Sequence, residues 1–147
     1  MIDLIVSNAA TISKFKLGNY IIQDLLERAP SELQDQIIKI IFDFSIDLSC
    51  DKYSSNVVEK AIHLASSRRR KKLVKKWLSR DDSLEIIKKL VEDQFGNYVV
   101  QTLLVSSGQK EQKKLLKAIV KNRHFVSIFW LLYKKSKQTQ HDKNQSI

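Results

Sequence analysis

The chain has 147 residues, enough for one compact domain or a few stacked repeats. Leu, Ile, Lys, Glu and Ser dominate while Gly and Pro are scarce, a helical composition that argues against hairpin-rich β architectures. A formal net charge of +10 points to a polyanionic partner without separating nucleic acid from an acidic membrane surface, and the single cysteine, Cys50, excludes an internal disulfide framework.

The first predicted element is apolar: Ile2, Leu4, Ile5, Val6, Ala9, Ala10 and Ile12 read as an ordinary internal helix, not a polar cap. Residues 1–13 lack the positive n-region of a signal peptide. Next comes Gly18-Asn19-Tyr20-Ile21-Ile22-Gln23, continued by the apolar pair Leu25-Leu26 and stopped at Pro30. Ser31 with Gln34 predicts a capping box, opening a helix whose Leu33, Ile37, Ile40, Ile41, Phe44 and Leu48 share one face. Ser54-Ser55-Asn56-Val57-Val58-Glu59 follows, with Ala61-Ile62 behind it. An additional amphipathic segment, Arg69 to Leu78, offers Leu73, Val74, Trp77 and Leu78 for burial. Asp82 or Ser83 can cap a helix carrying Leu84, Ile87, Leu90 and Val91 on one face. Gly96-Asn97-Tyr98-Val99-Val100-Gln101, with Leu103-Leu104, is the third member of the series. Leu115, Leu116, Ile119 and Val120 give one more amphipathic helix, and Phe125 to Tyr133, the longest apolar run, is too short to span a bilayer. Lys134 to Ile147 is polar and expected to be disordered.

The three six-residue stretches superimpose: a small residue, a short polar one, a flat side chain, two β-branched apolars, then an amide or carboxylate. Asn19 to Ser55 is 36 residues and Ser55 to Asn97 is 42, periods that suit helical repeats with about six extra residues in a longer second loop. The expected division is repeats over 1–29, 30–65 and 66–107, capping helices over 108–133, and the tail 134–147. The apolar N-terminal face implies either a longer array or packing against another copy.

Residues i and i+4 of a helix lie one above the other. Asn19 therefore pairs with Gln23, Ser55 with Glu59 and Asn97 with Gln101, while Tyr20, Asn56 and Tyr98 project beside the pairs. Two hydrogen-bonding tips and a flat surface suit one unstacked nucleotide base. Two carboxamides match the acceptor–donor–acceptor edge of uracil; the carboxylate of Glu59, accepting only, matches the adjacent N1–H and N2–H₂ donors of guanine, and Ser55 leaves room for the purine.

This series resembles the last three repeats of a Pumilio-family (PUF) RNA-binding domain, over roughly residues 1–133. The resemblance implies an all-α fold, a curved, right-handed α-solenoid of stacked Pumilio repeats, binding single-stranded RNA antiparallel to the chain. It implies Asn97/Gln101 on U, Ser55/Glu59 on G and Asn19/Gln23 on U, hence 5′-UGU-3′, with Tyr20, Asn56 and Tyr98 stacking. It further implies control of messenger RNA translation and decay through 3′ untranslated regions, mainly in the cytoplasm, with deadenylase and translational repressor proteins as partners. Three features depart from the family pattern: the signature occurs only three times, Phe15 stands where the other repeats have Asp51 and Asp93, and Ser54 replaces Gly.

Lys52 and Lys60 are candidate phosphate contacts. The run Arg68-Arg69-Arg70-Lys71-Lys72, with Lys75 and Lys76, reads either as a phosphate or nuclear-localisation element or as a solvated face. His63 reads as a packing residue. Neither it, His124 nor His141 has a ligand-spaced partner, so neither a metal nor a cofactor is expected, and no catalytic constellation is present. Two other readings stay open, an armadillo- or HEAT-like protein-binding solenoid and a PUF-like ribosome-biogenesis factor binding RNA without base specificity. The compartment expected is cytosol or nucleus, with no membrane segment.

Overall fold

The computed structural model describes residues 1–121; the expected Phe125–Tyr133 helix and the polar tail lie outside the described residues. Ten α-helices and no strand make up this part: α1 (Ile2–Ser7), α2 (Ala9–Ser13), α3 (Gly18–Arg28), α4 (Ser31–Asp43), α5 (Ser45–Ser49), α6 (Ser54–Leu64), α7 (Ser67–Leu78), α8 (Ser83–Glu92), α9 (Gly96–Ser106) and α10 (Gln109–Lys121). None is long and apolar enough to cross a membrane. The signature stretches open α3, α6 and α9. These three pack side by side in chain order, each flanked by the short helix before it (α2, α5, α8). The longer α4, α7 and α10 each follow a signature helix. The expectation of an all-α solenoid of stacked repeats is met.

One continuous apolar core runs from Val6 to Ile119. Its logic is visible in equivalent positions of successive repeats. Val57 and Val99 are fully buried, on helices that pack against the signature helix of the preceding repeat. Ile21, their counterpart in α3, is 51% exposed, and Ile2, Leu4 and Leu17 are exposed with it. The apolar N-terminal face expected from sequence is therefore an inter-repeat surface left uncovered within this chain.

Four ion pairs stitch neighbouring repeats at nearly constant sequence separation: Lys14–Asp47 (2.5 Å), Lys60–Glu27, Arg69–Asp35 (3.2 Å) and Lys76–Asp43 (3.6 Å). All are partly solvent-exposed, so they fix register more than they add stability. Lys76 also donates to the carbonyl oxygens of Phe42 (3.0 Å) and Asp43 (2.8 Å), capping the C-terminal end of α4.

Each signature helix starts by pressing its first residue onto the backbone six residues earlier. A Cβ at Gly18 would overlap the Ile12 carbonyl oxygen, and one at Gly96 would lie 2.8 Å from that of Leu90. Ser54 keeps its Cβ at the same place because its hydroxyl donates to the Leu48 carbonyl oxygen at 2.8 Å, turning a close approach into a hydrogen bond. The carboxylates of Asp51 and Asp93 accept from the amides of Tyr53 and Ser54, and of Phe95 and Gly96, at 2.7–3.0 Å. Burial pushes the Asp51 carboxyl up, but these amide bonds outweigh it and hold it below the ordinary range. Phe15 supplies no such acceptor, yet the loop keeps its course: Asn19 N–H still bonds the Phe15 carbonyl at 3.0 Å, matching Ser55 to Asp51 and Asn97 to Asp93.

Several sequence expectations need correction. Leu33 to Leu48 is not one helix but two, broken at Phe44, itself 56% exposed; the bend sends α5 into the core while α4 ends at Asp43. Ser31 is the first helical residue, not the cap. That place belongs to Pro30, whose carbonyl oxygen takes the amides of Leu33 and Gln34. Asp82 does occupy the cap position of α8, but its carboxylate is taken by Arg80 at 2.9 and 3.1 Å. The side-chain cap that sequence reading missed is Ser66, accepting from the Arg69 amide at 3.3 Å. Arg69 to Leu78 is not an extra segment: α7 follows α6 as α4 follows α3, and the added residues sit in the Ser79–Asp82 loop and the longer α8. Leu84, placed on the buried face of α8, is 43% exposed, with Ile86 buried instead.

Candidate nucleic-acid interface

Because α3, α6 and α9 adjoin in order, their polar pairs stand in a row along one layer. In the first repeat Gln23 Nε2 donates to Asn19 Oδ1 at 3.1 Å, and in the third Gln101 Nε2 donates to Asn97 Oδ1 at 3.0 Å. Each asparagine in turn donates through Nδ2 to two carbonyl oxygens of its own loop: Asn19 to Phe15 (3.2 Å) and Lys16 (2.6 Å), Asn97 to Asp93 (2.9 Å) and Gln94 (3.2 Å). The same arrangement, built twice 78 residues apart, is an ordered constellation.

This corrects the picture of two equally outward tips. Asn19 is 2% exposed and Gln101 8%. The asparagine side chain is short and sits at the second residue of the helix, so its nearest partners are the carbonyls of the loop just before it and the glutamine one turn on. Its work is to hold that glutamine, whose remaining N–H and carbonyl oxygen have no partner among the described residues.

The middle repeat is different in kind. Ser55 is buried and its hydroxyl lies 3.5 Å from the Lys52 carbonyl oxygen, too far to tie it firmly. The Glu59 carboxylate is half-buried and has no hydrogen bond or ion pair among the described residues. Burial alone pushes its carboxyl pKa up. A partly desolvated anion without donors is unfavourable unless a ligand supplies them.

Tyr20 (66%) and Tyr98 (56%) are exposed at matching places beside the pairs and take no part in the core. Asn56, also exposed, turns its amide back onto the carbonyl oxygens of Lys52 and Tyr53, both at 3.4 Å. Of the two lysines singled out, Lys52 is exposed with its ammonium 5.6 Å from the Tyr53 ring centre, while Lys60 is committed to Glu27 of the preceding repeat. His63 is exposed, not packed: the buried face of α6 runs through Val57, Val58, Ala61 and Ile62, and His63 falls off it. Among the described residues no three His, Cys, Asp or Glu side chains gather to hold a metal.

Two further side chains support the row without touching it. Arg70 Nη1 donates to the Ala65 carbonyl oxygen, and Gln112 Nε2 to that of Leu104 at 2.8 Å, closing the ends of α6 and α9. Both stand at the same place in their repeats as Gln34. That correspondence was the signal available in the sequence.

The Pumilio-family RNA binding repeat matches residues 16–42, 46–76 and 87–120. A Pumilio domain-containing protein of Schizosaccharomyces pombe is 32% identical over 119 residues, covering 81% of this chain and 17% of that protein. Pumilio homolog 12 of Arabidopsis thaliana is 30% identical over 122 residues, 83% of this chain and 20% of its own length. The mRNA-binding protein PUF3 of Saccharomyces cerevisiae is 30% identical over 119 residues, 66% of this chain and 13% of that protein. The chain thus spans about a fifth or less of these relatives. Among solved structures, PUF-8 in complex with PBE-RNA matches with a TM-score of 0.79 at 23% identity, over 92% of this chain and 41% of that one. The Puf3 RNA binding domain bound to a Cox17 3′ UTR site gives 0.68 at 24% identity, over 80% and 32%. With three repeat matches in register with its three signature helices, the chain belongs to the Pumilio family of RNA-binding, non-enzymatic repeats.

Proposed function

We propose that this chain binds single-stranded RNA sequence-specifically, one base per repeat, with 5′-UGU-3′ as its triplet. The observation that carries the reading is the contrast along one row: two amide pairs of the same geometry flank a half-buried carboxylate with no donor. Uracil fits the free N–H and carbonyl oxygen of Gln23 and Gln101. Guanine offers Glu59 two N–H donors on one edge. Tyr20 and Tyr98 give flat exposed surfaces for the neighbouring bases, and PUF repeats as a class read one base per helical repeat.

The regulatory role follows as part of the same proposal. RNA held at a 3′ untranslated region places the protein to control translation and decay of the message, in the cytoplasm, with deadenylase or translational repressor proteins recruited to it. Support comes from PUF3, described as an mRNA-binding protein, and from the Puf3 RNA binding domain, described as bound to a 3′ UTR recognition site.

Stacking contributes about 1–3 kcal/mol per base, before the cost of ordering a flexible strand. The chain alone is therefore expected to bind short UGU oligomers weakly, with affinity falling steeply as salt rises. Titrating it with UGU, UAU and scrambled oligomers checks this: UGU should bind tightest. Equal affinity for all three would refute base reading. Absence of ultraviolet crosslinks at Tyr20 and Tyr98 would favour a peptide-binding solenoid.

A further inference from the structure

The basic run on α7 has no part in the row of polar pairs, and folding brings it against a second set of cations distant in sequence. Helices α7 and α10 are neighbours. Between them runs a groove of about 490 Å³ bordered by Lys71, Lys75, Lys114 and Lys117, with Glu111 its single acid. No signature residue lines it. All four lysines are exposed, and none has an ion pair or hydrogen bond among the described residues. Three other basic residues of the same run are spoken for: Arg69 by Asp35, Arg70 by Ala65, Lys76 by Asp43 and two carbonyl oxygens. Arg68 and Lys72, like several lysines elsewhere on the described surface, have no partner among the described residues either; what sets the four apart is that they line one channel between two helices.

We propose that this groove is a second RNA-binding surface, taking the phosphate backbone of the strand that flanks the triplet, without reading bases. Lys71 and Lys75 are one turn apart on α7, and Lys114 and Lys117 one turn apart on α10. Each pair is spaced about 5–6 Å at Cβ. Two rows of cations facing across a channel suit a linear chain of phosphates. Lysine acts here as a point charge, which fits sequence-independent binding. A membrane surface is the less suitable partner: the residues lining the groove include no aromatic anchor, and the nearby Trp77 is fully buried. The inference rests on the RNA-binding reading above for its ligand. Once a triplet is held, the flanking strand is confined close to the surface at high effective concentration.

The test compares a short UGU oligomer with the same element carrying long flanks, over a salt series, for the unaltered chain and a Lys71→Gln/Lys75→Gln/Lys114→Gln/Lys117→Gln variant. The variant should bind the short oligomer unchanged, with the same preference for UGU over UAU. Its salt slope on the long RNA should be shallower by about 0.7 for each phosphate no longer neutralised, roughly 2–3 units in all. The corresponding four-arginine variant, charge retained, should keep the full slope and shows that the site tolerates substitution. Equal slopes for the unaltered chain and the glutamine variant would overturn the proposal. So would loss of binding to anionic phosphatidylserine vesicles in the glutamine variant with its RNA slope intact. If the unaltered chain showed no UGU preference but the slopes still differed, base reading would fall and phosphate binding in the groove would stand.

Discussion

Glu59→Gln is expected to erase the preference for guanine at the middle position while leaving the fold at least as stable. The substitution keeps length and shape but exchanges one carboxylate oxygen for an amide donor, which opposes a guanine N–H instead of accepting it. Hydrogen bonds to a charged group contribute about 1.5–3 kcal/mol. Discrimination between UGU and UAU should therefore fall about tenfold to hundredfold. Stability moves the other way because Glu59 is half-buried with no donor, so its charge opposes folding. The sign with pH follows from its raised pKa. Folded protein binds this proton more readily than unfolded chain, so the contribution of this group to stability is greatest at low pH and is lost as pH rises through the folded value. Guanine recognition needs the ionised form and should weaken on acidification through the same range. Competition titrations with UGU and UAU, paired with urea melts at two pH values, measure both arms. Unchanged discrimination in the variant would remove Glu59 from the reading.

Trp77→Ala is expected to be the most damaging truncation in the described core, costing about 3–5 kcal/mol. Trp77 is fully buried, and its indole N–H donates to the Ser45 hydroxyl at 3.0 Å, tying α7 to the short α5 that precedes the middle signature helix. Truncation leaves both a cavity and a buried hydroxyl without its donor. In a repeat array stability is shared between neighbours, so the loss should weaken the coupling of the middle repeat to the next one. A urea midpoint unchanged from that of the parent would contradict this assignment.

Much of this was legible in the sequence, for a physical reason. The signature residues recur because each repeat solves the same packing problem, so the paired Ile and Val residues were readable as core, with Ile21 the one exception, and Tyr20 and Tyr98 as projecting beside the pairs. What escaped was set by geometry that periodicity does not carry. The break at Phe44 leaves the apolar pattern intact on both sides, so Leu33 to Leu48 reads as one helix. Ser31 and Gln34 have the spacing of a capping box, but the preceding Pro30 supplies a carbonyl oxygen that the pattern cannot show. The asparagine of each amide pair was read as a tip. Its partners are loop carbonyls and the glutamine one turn on, which only coordinates reveal, and burial falls on Asn19 in the first pair but on Gln101 in the third. Lys60 looked free because Glu27 lies 33 residues away. The groove between α7 and α10 joins lysines 39 to 46 residues apart in sequence, a juxtaposition that follows from stacking alone.

The most direct test of the central claim transplants the flanking pair into the middle repeat. A Ser55→Asn/Glu59→Gln variant would carry three equivalent amide pairs in a row. Competition binding against UGU and UUU oligomers should then show preference for UUU. Retained preference for UGU would contradict the assignment of one base to each signature helix.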